Sequence, residues 1–358
     1  MTEPAVPVPF GVYIHIPFCA SKCDYCAFAT WTDRHHLTDR YLAAVGTEIS
    51  RAVDAGMPVA SSIFVGGGTP SMVDASALLD VLQMVPVAAG AEITIECNPD
   101  NITVDLMHAY VAGGVNRVSI GVQSMVPQVL GALGRRHSRA NVEIAVEAVH
   151  RAGVPTFNLD LIYGAAGESL DDWRSTVEAA VGLEPPHVSA YGLTIEAGTP
   201  LAAQPDRHPD DDDQADKYEM VDDALAGAGL ENYEISNWAR PGHECRHNVV
   251  YWRQQNYRGF GCAAHSHHDG RRWWNVRTPD RYIDVVEADE LSEAAGETLD
   301  DATRRFEALE LQLRMRDGVP LGALDVAGLD GLVERRDDRW VLTRNGRLLA
   351  NEISLRLM

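Results

Sequence analysis

Along the first two-thirds of the chain, short apolar runs alternate with longer stretches in which apolar residues recur every three or four positions. The runs are VYIHI (12–16), SSIFVGG (61–67), AEITIEC (91–97), NRVSIGVQS (116–124), TFNLDLIYG (156–164) and HVSAYGLTI (187–195), and they predict strands. Between them, stretches such as YLAAVGTEISRAV (41–53) and RANVEIAVEAVHRAG (139–153) predict amphipathic helices. In the second, Val142, Ala145, Val146 and Val149 fall on one face, and Gly153 followed by Pro155 marks its end. Six strand–helix units predict a parallel sheet with right-handed crossovers. Polar or small residues close the strands: Glu96, Gln123, Asp160 and the glycines at 66–68. Groups gathered at the C-terminal strand ends fit the mouth of a (β/α) barrel, whereas an open doubly wound sheet concentrates them at its switch point.

The alternation stops near residue 200. AAQPDRHPDDDDQADKYEM reads as a solvated loop leading into a helix. DATRRFEALELQLRM (301–315) reads as a helix, LVERRDDRWVLT (332–343) as a hairpin with a charged turn, and RNGRLLANEISLRLM (344–358) as a final helix. This order suggests a small winged-helix-like module.

Composition narrows the picture. The 358 residues carry 52 acidic and 30 basic side chains, a net charge of −22. Such a surface repels phosphate backbones, so a nucleic-acid partner, and with it an RNA-modifying activity, is disfavoured. No apolar run is long enough for a membrane span, and the N-terminus lacks the basic and apolar regions of an export signal. The expected location is cytoplasmic, with the six cysteines reduced.

Three of those cysteines, Cys19, Cys23 and Cys26, sit within FCASKCDYC directly after the first strand. The spacing C-x3-C-x2-C arises by chance in about two such chains per thousand. A structural zinc site wants four closed ligands, and His15 is available as a fourth, though the spacing is odd for a zinc knuckle. Three thiolates on a loop also suit a [4Fe–4S] cluster that keeps one iron open for another ligand. Cys97 and Cys262 lie outside this group and read as buried thiols.

C-x3-C-x2-C after a first barrel strand resembles the signature of the radical S-adenosylmethionine (SAM) family. That resemblance implies an α/β fold with a partial (β/α)6 barrel, and SAM chelated by the open iron through its amino and carboxylate groups. In active members the reduced cluster cleaves SAM to a 5′-deoxyadenosyl radical. GGGTPS resembles the family's glycine motif, which places Gly67, Gly68 and Thr69 near the SAM amino group. By the same resemblance Glu96 binds the ribose hydroxyls, and Gln123, Arg135 and Asp160 are further SAM contacts. Tyr13 bounds the methionine end, and Tyr25 and Phe28 of the cluster loop are further cofactor-binding residues.

Within the family, YIHIPFC, GGGTPS, GVQS and FNLDLIYG together resemble the subfamily of oxygen-independent coproporphyrinogen III oxidases and related haem chaperones. The resemblance implies a barrel domain over 1–240 and a smaller α+β, winged-helix-like domain over 241–358. Oxidase members carry a further cysteine two places after the third, where this chain has Phe28, and an N-terminal extension for which Cys19 leaves no room. CRHNVVYW (245–252) resembles the chaperones' haem motif, H-N-x-x-Y-W. It implies haem iron bound by His247, with Tyr251 and Trp252 against the macrocycle; His265, His267, His268 and Cys245 are alternative ligands. The expectation is a haem chaperone holding a SAM-ligated cluster and delivering haem to apo-haemoproteins such as respiratory enzymes, with at most peripheral membrane contact and with no catalytic residue assigned. The alternative is a coproporphyrinogen III oxidase. Oligomeric state is left open.

Overall fold

The computed structural model describes residues 9–358. Residues 1–8, part of the stretch read as lacking an export signal, lie outside the described residues. All six expected strands stand side by side in chain order: β1 (Phe10–Ile16), β2 (Ala60–Gly67), β3 (Val87–Cys97), β4 (Arg117–Gln123), β5 (Thr156–Tyr163) and β6 (His187–Gly192). Each neighbouring pair is parallel. The linking helices are α1 (Thr38–Asp54), α2 (Ala75–Gln83), α3 (Val104–Ala112), α4 (Pro127–Ala132), α5 (Arg139–Arg151) and α6 (Leu170–Val181). They supply the apolar cover that a parallel sheet needs on its outer face. Helix α5 shows how the sequence specifies one of them. Val142, Ala145, Val146 and Val149 are all buried, and Ser138 and Asn141 form a reciprocal capping box at its start.

The sheet continues past both ends of this set without closing. After β6 come β7 (Glu231–Glu234) and β8 (Asn237–Ala239), in the spatial order β6-β8-β7. On the other side β1 pairs, again parallel, with β9 (Asn256–Phe260). From β9 an antiparallel meander runs through β10 (His265–His268), β11 (Arg271–Asn275) and β12 (Glu293–Thr298). Strands β1 and β6 never meet, so the barrel is partial.

Between these strands lie α7 (Asp211–Gly227), α8 (Arg246–Trp252) and α9 (Pro279–Glu287). The Asp-rich stretch behaves as its composition demands. Asp210 caps α7 by accepting the Asp213 N–H, and three aspartates complement the positive end of the helix dipole.

The C-terminal part holds α10 (Asp301–Leu313), β13 (Val319–Pro320), the expected hairpin of β14 (Val333–Arg336) and β15 (Arg339–Leu342), and then α11 (Arg344–Leu348) and α12 (Ala350–Ser354). The single final helix expected over 344–358 is thus two short ones. Gly346 is pressed against the Leu332 carbonyl, where a Cβ would have no room, so α11 is fixed on the hairpin. The chain then turns at Leu349 (φ −111°, ψ 24°) to bring Ile353 and Leu357 into a second hydrophobic cluster with Leu313 and Val319.

The domain division expected between residues 240 and 241 does not coincide with a break in packing. Strands β9 to β12 join the barrel sheet, and Phe260, Tyr282 and Val286 belong to the barrel's core. The second cluster begins only at Leu313.

Candidate functional site

Cys19, Cys23 and Cys26 lie on the loop that leaves β1; all three thiols are free and partly buried. The loop is held from outside itself. Trp31 N–H donates to the Pro17 carbonyl at 2.7 Å, Cys19 N–H donates to the Trp31 carbonyl at 3.1 Å, and His15 Nε2 bonds the Ala29 carbonyl at 2.9 Å. At the loop's centre, Leu201 N–H donates to the Asp24 carbonyl at 3.0 Å and Arg207 pairs with the Asp24 carboxylate at 2.9 Å. Burial pushes the Cys19 and Cys26 thiols upward, and their neighbouring thiols add to it. Cys19 and Cys26 therefore resist ionisation until a metal centre supplies positive charge. Among the described residues, no group of three or more His, Cys, Asp or Glu converges closely enough for a single metal ion. His15, the candidate fourth zinc ligand, is engaged on both nitrogens, with Tyr13 Oη 3.0 Å from Nδ1, and burial lowers it to about 4. The donor set fits a cluster with three thiolate ligands better than a zinc ion.

The glycine segment seals this loop to β2. Gly68 N–H donates to the Ile16 carbonyl at 2.7 Å, and Thr69 N–H to the Phe18 carbonyl at 2.8 Å. Any Cβ at Gly68 would lie within 2.6–2.9 Å of those backbone atoms. Gly67 adopts φ 109° with its missing Cβ facing the His15 ring, and its N–H donates to Glu96 Oε2 at 2.9 Å. The Thr69 hydroxyl lies 3.8 Å from the Cys19 sulfur.

Glu96 and Gln123 lie at the ends of β3 and β4, and Asp160 lies within β5. Glu96 is raised to about 7, by burial first and then by the negative charge of Asp160. Asp160 is also raised by burial, against hydrogen bonds from Ser119 at 2.8 Å and Asn158 at 2.7 Å. Gln123 sits at φ 64°, at the register shift between β4 and β5. A non-glycine residue held left-handed at a strand end is a feature of binding sites. Arg135 donates to the Gly121 carbonyl at 2.8 Å and reaches the Cys23 sulfur at 3.7 Å, so its charge serves the cluster loop. Tyr25 packs on the apolar patch of Val129, Leu133 and Leu201, raised by burial and by Cys23. Tyr13 stacks near Phe64 at 6.5 Å, while Phe28 is 64 % exposed.

Sequence reading missed the polar row beneath. In the strand register Glu96 pairs with Ser119, Ser119 with Asn158, and Asn158 with His187. Asn158 binds Ser119, Asp160, Ser189 and His187, and His187 passes the chain to the Tyr233 hydroxyl at 2.8 Å. The signal was a polar residue at matching positions of successive strands.

His247 stands elsewhere. It lies on α8, 1 % exposed, with Nδ1 3.0 Å from the Ser62 hydroxyl and Nε2 2.8 Å from the Tyr251 hydroxyl. Its ring stacks on Phe64, Gly11 leaves room for it, and burial lowers it to about 3. Glu92 fixes the start of α8 by accepting the N–H groups of Arg246 and His247 and the Cys245 thiol. Tyr251 meets both His247 and Tyr257 at close to a right angle, with ring centroids 4.9 and 4.6 Å apart. Iron ligation by His247, the expectation from H-N-x-x-Y-W, would have to displace one of these two ring hydrogen bonds.

The cysteine loop at the mouth of a partial parallel barrel, with its glycine and carboxylate surround, defines a radical SAM protein. The family model described as the Radical SAM superfamily matches residues 13–180. The chain is 41 % identical to the haem chaperone HemW of Mycobacterium tuberculosis, over 96 % of this chain and 94 % of that protein. It is 35 % identical to HemW of Escherichia coli and 31 % to that of Bacillus subtilis, each over 96 % of this chain and 97 % of the relative. The chain belongs to the HemW family of radical SAM proteins. Among solved structures, coproporphyrinogen III oxidase (HemN) from Escherichia coli superposes with a TM-score of 0.81, at 23 % identity, over 97 % of this chain and 89 % of that one. That likeness shows the shared fold.

Proposed function

We infer that the chain is a haem chaperone: it binds haem and passes it to apo-haemoproteins such as respiratory enzymes, in the cytoplasm, while holding a SAM-ligated [4Fe–4S] cluster. The observation that carries this reading is similarity to haem chaperones over 96 % of the chain, the 245–252 segment included. Phe28, in place of the further cysteine of oxidase members, supports the same choice. Among the described residues no helix is long and apolar enough to cross a membrane.

The residues at the mouth divide the work. Cys19, Cys23 and Cys26 would hold the cluster, with Arg135 offsetting charge at Cys23. Bound there, the cluster supplies one iron able to take the amino and carboxylate groups of SAM, and a store of one electron. Glu96 accepts the ribose hydroxyls, which suits a buried carboxylate whose one hydrogen bond among the described residues comes from Gly67. Asp160, Gln123 and Tyr13 shape the surrounding pocket.

The reading is tested by mixing haem-loaded, cluster-reconstituted protein with an apo-haemoprotein and following transfer by absorbance. Recovery of the acceptor's holo spectrum faster than from free haem is the expected outcome. Haem that stays with the chain, or reaches the acceptor only at the free-haem rate, would contradict it.

A further inference from the structure

We propose that Ser62 is a positioning residue for haem binding: it holds the proton of His247 on Nδ1, so that Nε2 carries the lone pair for iron. The Tyr251 hydroxyl occupies the iron's place on Nε2 until haem displaces it. The inference rests on the haem-chaperone reading, with His247 as the ligand that H-N-x-x-Y-W implies, and names the residues that prepare that ligand.

Three strands grip His247 at one level. Gly11, Ser62 and Glu92 are register partners across β1, β2 and β3. Each meets the histidine differently. Glu92 accepts the backbone N–H groups of His247 at 3.1 Å and of Arg246 at 3.0 Å, so one carboxylate fixes the histidine's main chain. A Cβ on Gly11 would lie 3.2 Å from His247 Cε1, so β1 closes that edge of the ring. Ser62 meets Nδ1 at 3.0 Å, and Phe64, two residues along β2, stacks on the ring with 5.4 Å between centroids. The ring nitrogen that the sheet does not hold is Nε2, which meets the Tyr251 hydroxyl at 2.8 Å.

The two hydroxyls differ in chemistry. Neither has another hydrogen-bond partner among the described residues, so each is free to donate or to accept. Burial keeps the imidazole neutral, with one donor nitrogen and one acceptor nitrogen. A phenol is the stronger acid and the better donor, whereas an alkyl hydroxyl is the better acceptor. Tyr251 therefore donates to Nε2, and Nδ1–H donates to Ser62. A metal-binding histidine is arranged in the same way, its second nitrogen donating to a fixed partner.

The hydroxyls differ in freedom as well. Ser62 is fully buried on β2, a strand paired on both sides. Tyr251 is partly exposed and sits on the seven-residue α8, one turn beyond His247. Its departure opens Nε2 at the cost of one hydrogen bond and moves no proton. The Nε2–iron bond forms, the phenol keeps its hydrogen, and Nδ1–H stays on Ser62.

The test is haem titration of the full, cluster-reconstituted chain, with resonance Raman and electron paramagnetic resonance spectra of the bound haem. Tyr251→Phe keeps the ring and removes the competing hydroxyl, so it should tighten haem by about two- to tenfold with an unchanged iron–histidine signature. Ser62→Ala should weaken haem by about tenfold or more and shift that signature towards a weaker ligand, because the imidazole loses its acceptor. A merely structural role for Ser62 would lower the melting temperature and leave the signature in place. Unchanged or weaker haem in Tyr251→Phe would overturn the proposal, as would an unmoved signature in Ser62→Ala. A wild-type signature in a folded His247→Ala would overturn it too, because the prepared ligand would not be the one used. Failure of the wild-type chain to bind stoichiometric haem would instead bring down the chaperone reading itself.

Discussion

The inside of the barrel has two polar regions in opposite states. At the mouth, the thiols of Cys19, Cys23 and Cys26 are free and partly exposed, and Glu96 is held near neutrality by burial with a single hydrogen bond. Around α8, His247, Ser62, Tyr251 and Glu92 close on one another. Unsatisfied buried groups are costly, so a fold retains them where a ligand completes them. The difference teaches that residue type in a motif says less than the bonding capacity a site leaves unused. Cys-x3-Cys-x2-Cys and His-Asn-x-x-Tyr-Trp look equally chemical on paper, and only the first has spare capacity here.

The contrast is broken most severely at the cysteines. Replacing any one of Cys19, Cys23 or Cys26 by serine should abolish a complete cluster, because one iron loses its thiolate. Iron and sulfide counts after anaerobic reconstitution check this, and a full cluster in Cys23→Ser would place the metal elsewhere.

Around α8, removing His247 should cost folding stability. His247→Ala strips two buried hydrogen bonds and opens a cavity, for a loss of about 2–4 kcal/mol in chemical denaturation. Unchanged stability would show that the interior is less tightly closed than the distances indicate.

Glu96→Gln should weaken SAM by about ten- to hundredfold while leaving cluster content intact, as titration calorimetry would show. The pH dependence sharpens this. Donation from ribose hydroxyls favours the carboxylate, and Glu96 ionises near 7, so wild-type SAM affinity should rise between about pH 6 and about pH 8. In Glu96→Gln that rise should vanish. For the ligand-free fold the sign is opposite: a carboxyl raised by burial favours folding at low pH, and that contribution is lost as pH rises through about 7.

The smallest effect is expected at Phe28. Being 64 % exposed, it should change stability by less than about 0.5 kcal/mol when replaced by serine.

Much of this was legible in the sequence because it is local. The six parallel strands announce themselves as apolar runs, α5 by its periodicity and cap, and the cluster loop by its cysteine spacing. What escaped was non-local. Strand β9, NYRGF, carries an asparagine and an arginine and becomes a strand through pairing with β1, more than two hundred residues earlier in the chain. That pairing also carries the barrel's core past residue 240. The saturation of His247 depends on Ser62 from β2 and on Glu92 from β3, which no pattern around H-N-x-x-Y-W reveals. Glu96 and Gln123 do lie at strand ends as read, whereas Asp160, also read as a strand end, sits within β5, three residues before its end; the attachment of Arg135 to Cys23 needed the folded loop.

The most direct test of the account measures haem binding and coproporphyrinogen III turnover on one reconstituted sample of the full chain, with SAM and a reductant present. The account expects stoichiometric haem with a defined axial-ligand spectrum and no decarboxylation of the porphyrinogen. Turnover to the vinyl product by a chain that binds no haem would contradict it and make this protein an oxidase that works with Phe28 in place of a cysteine.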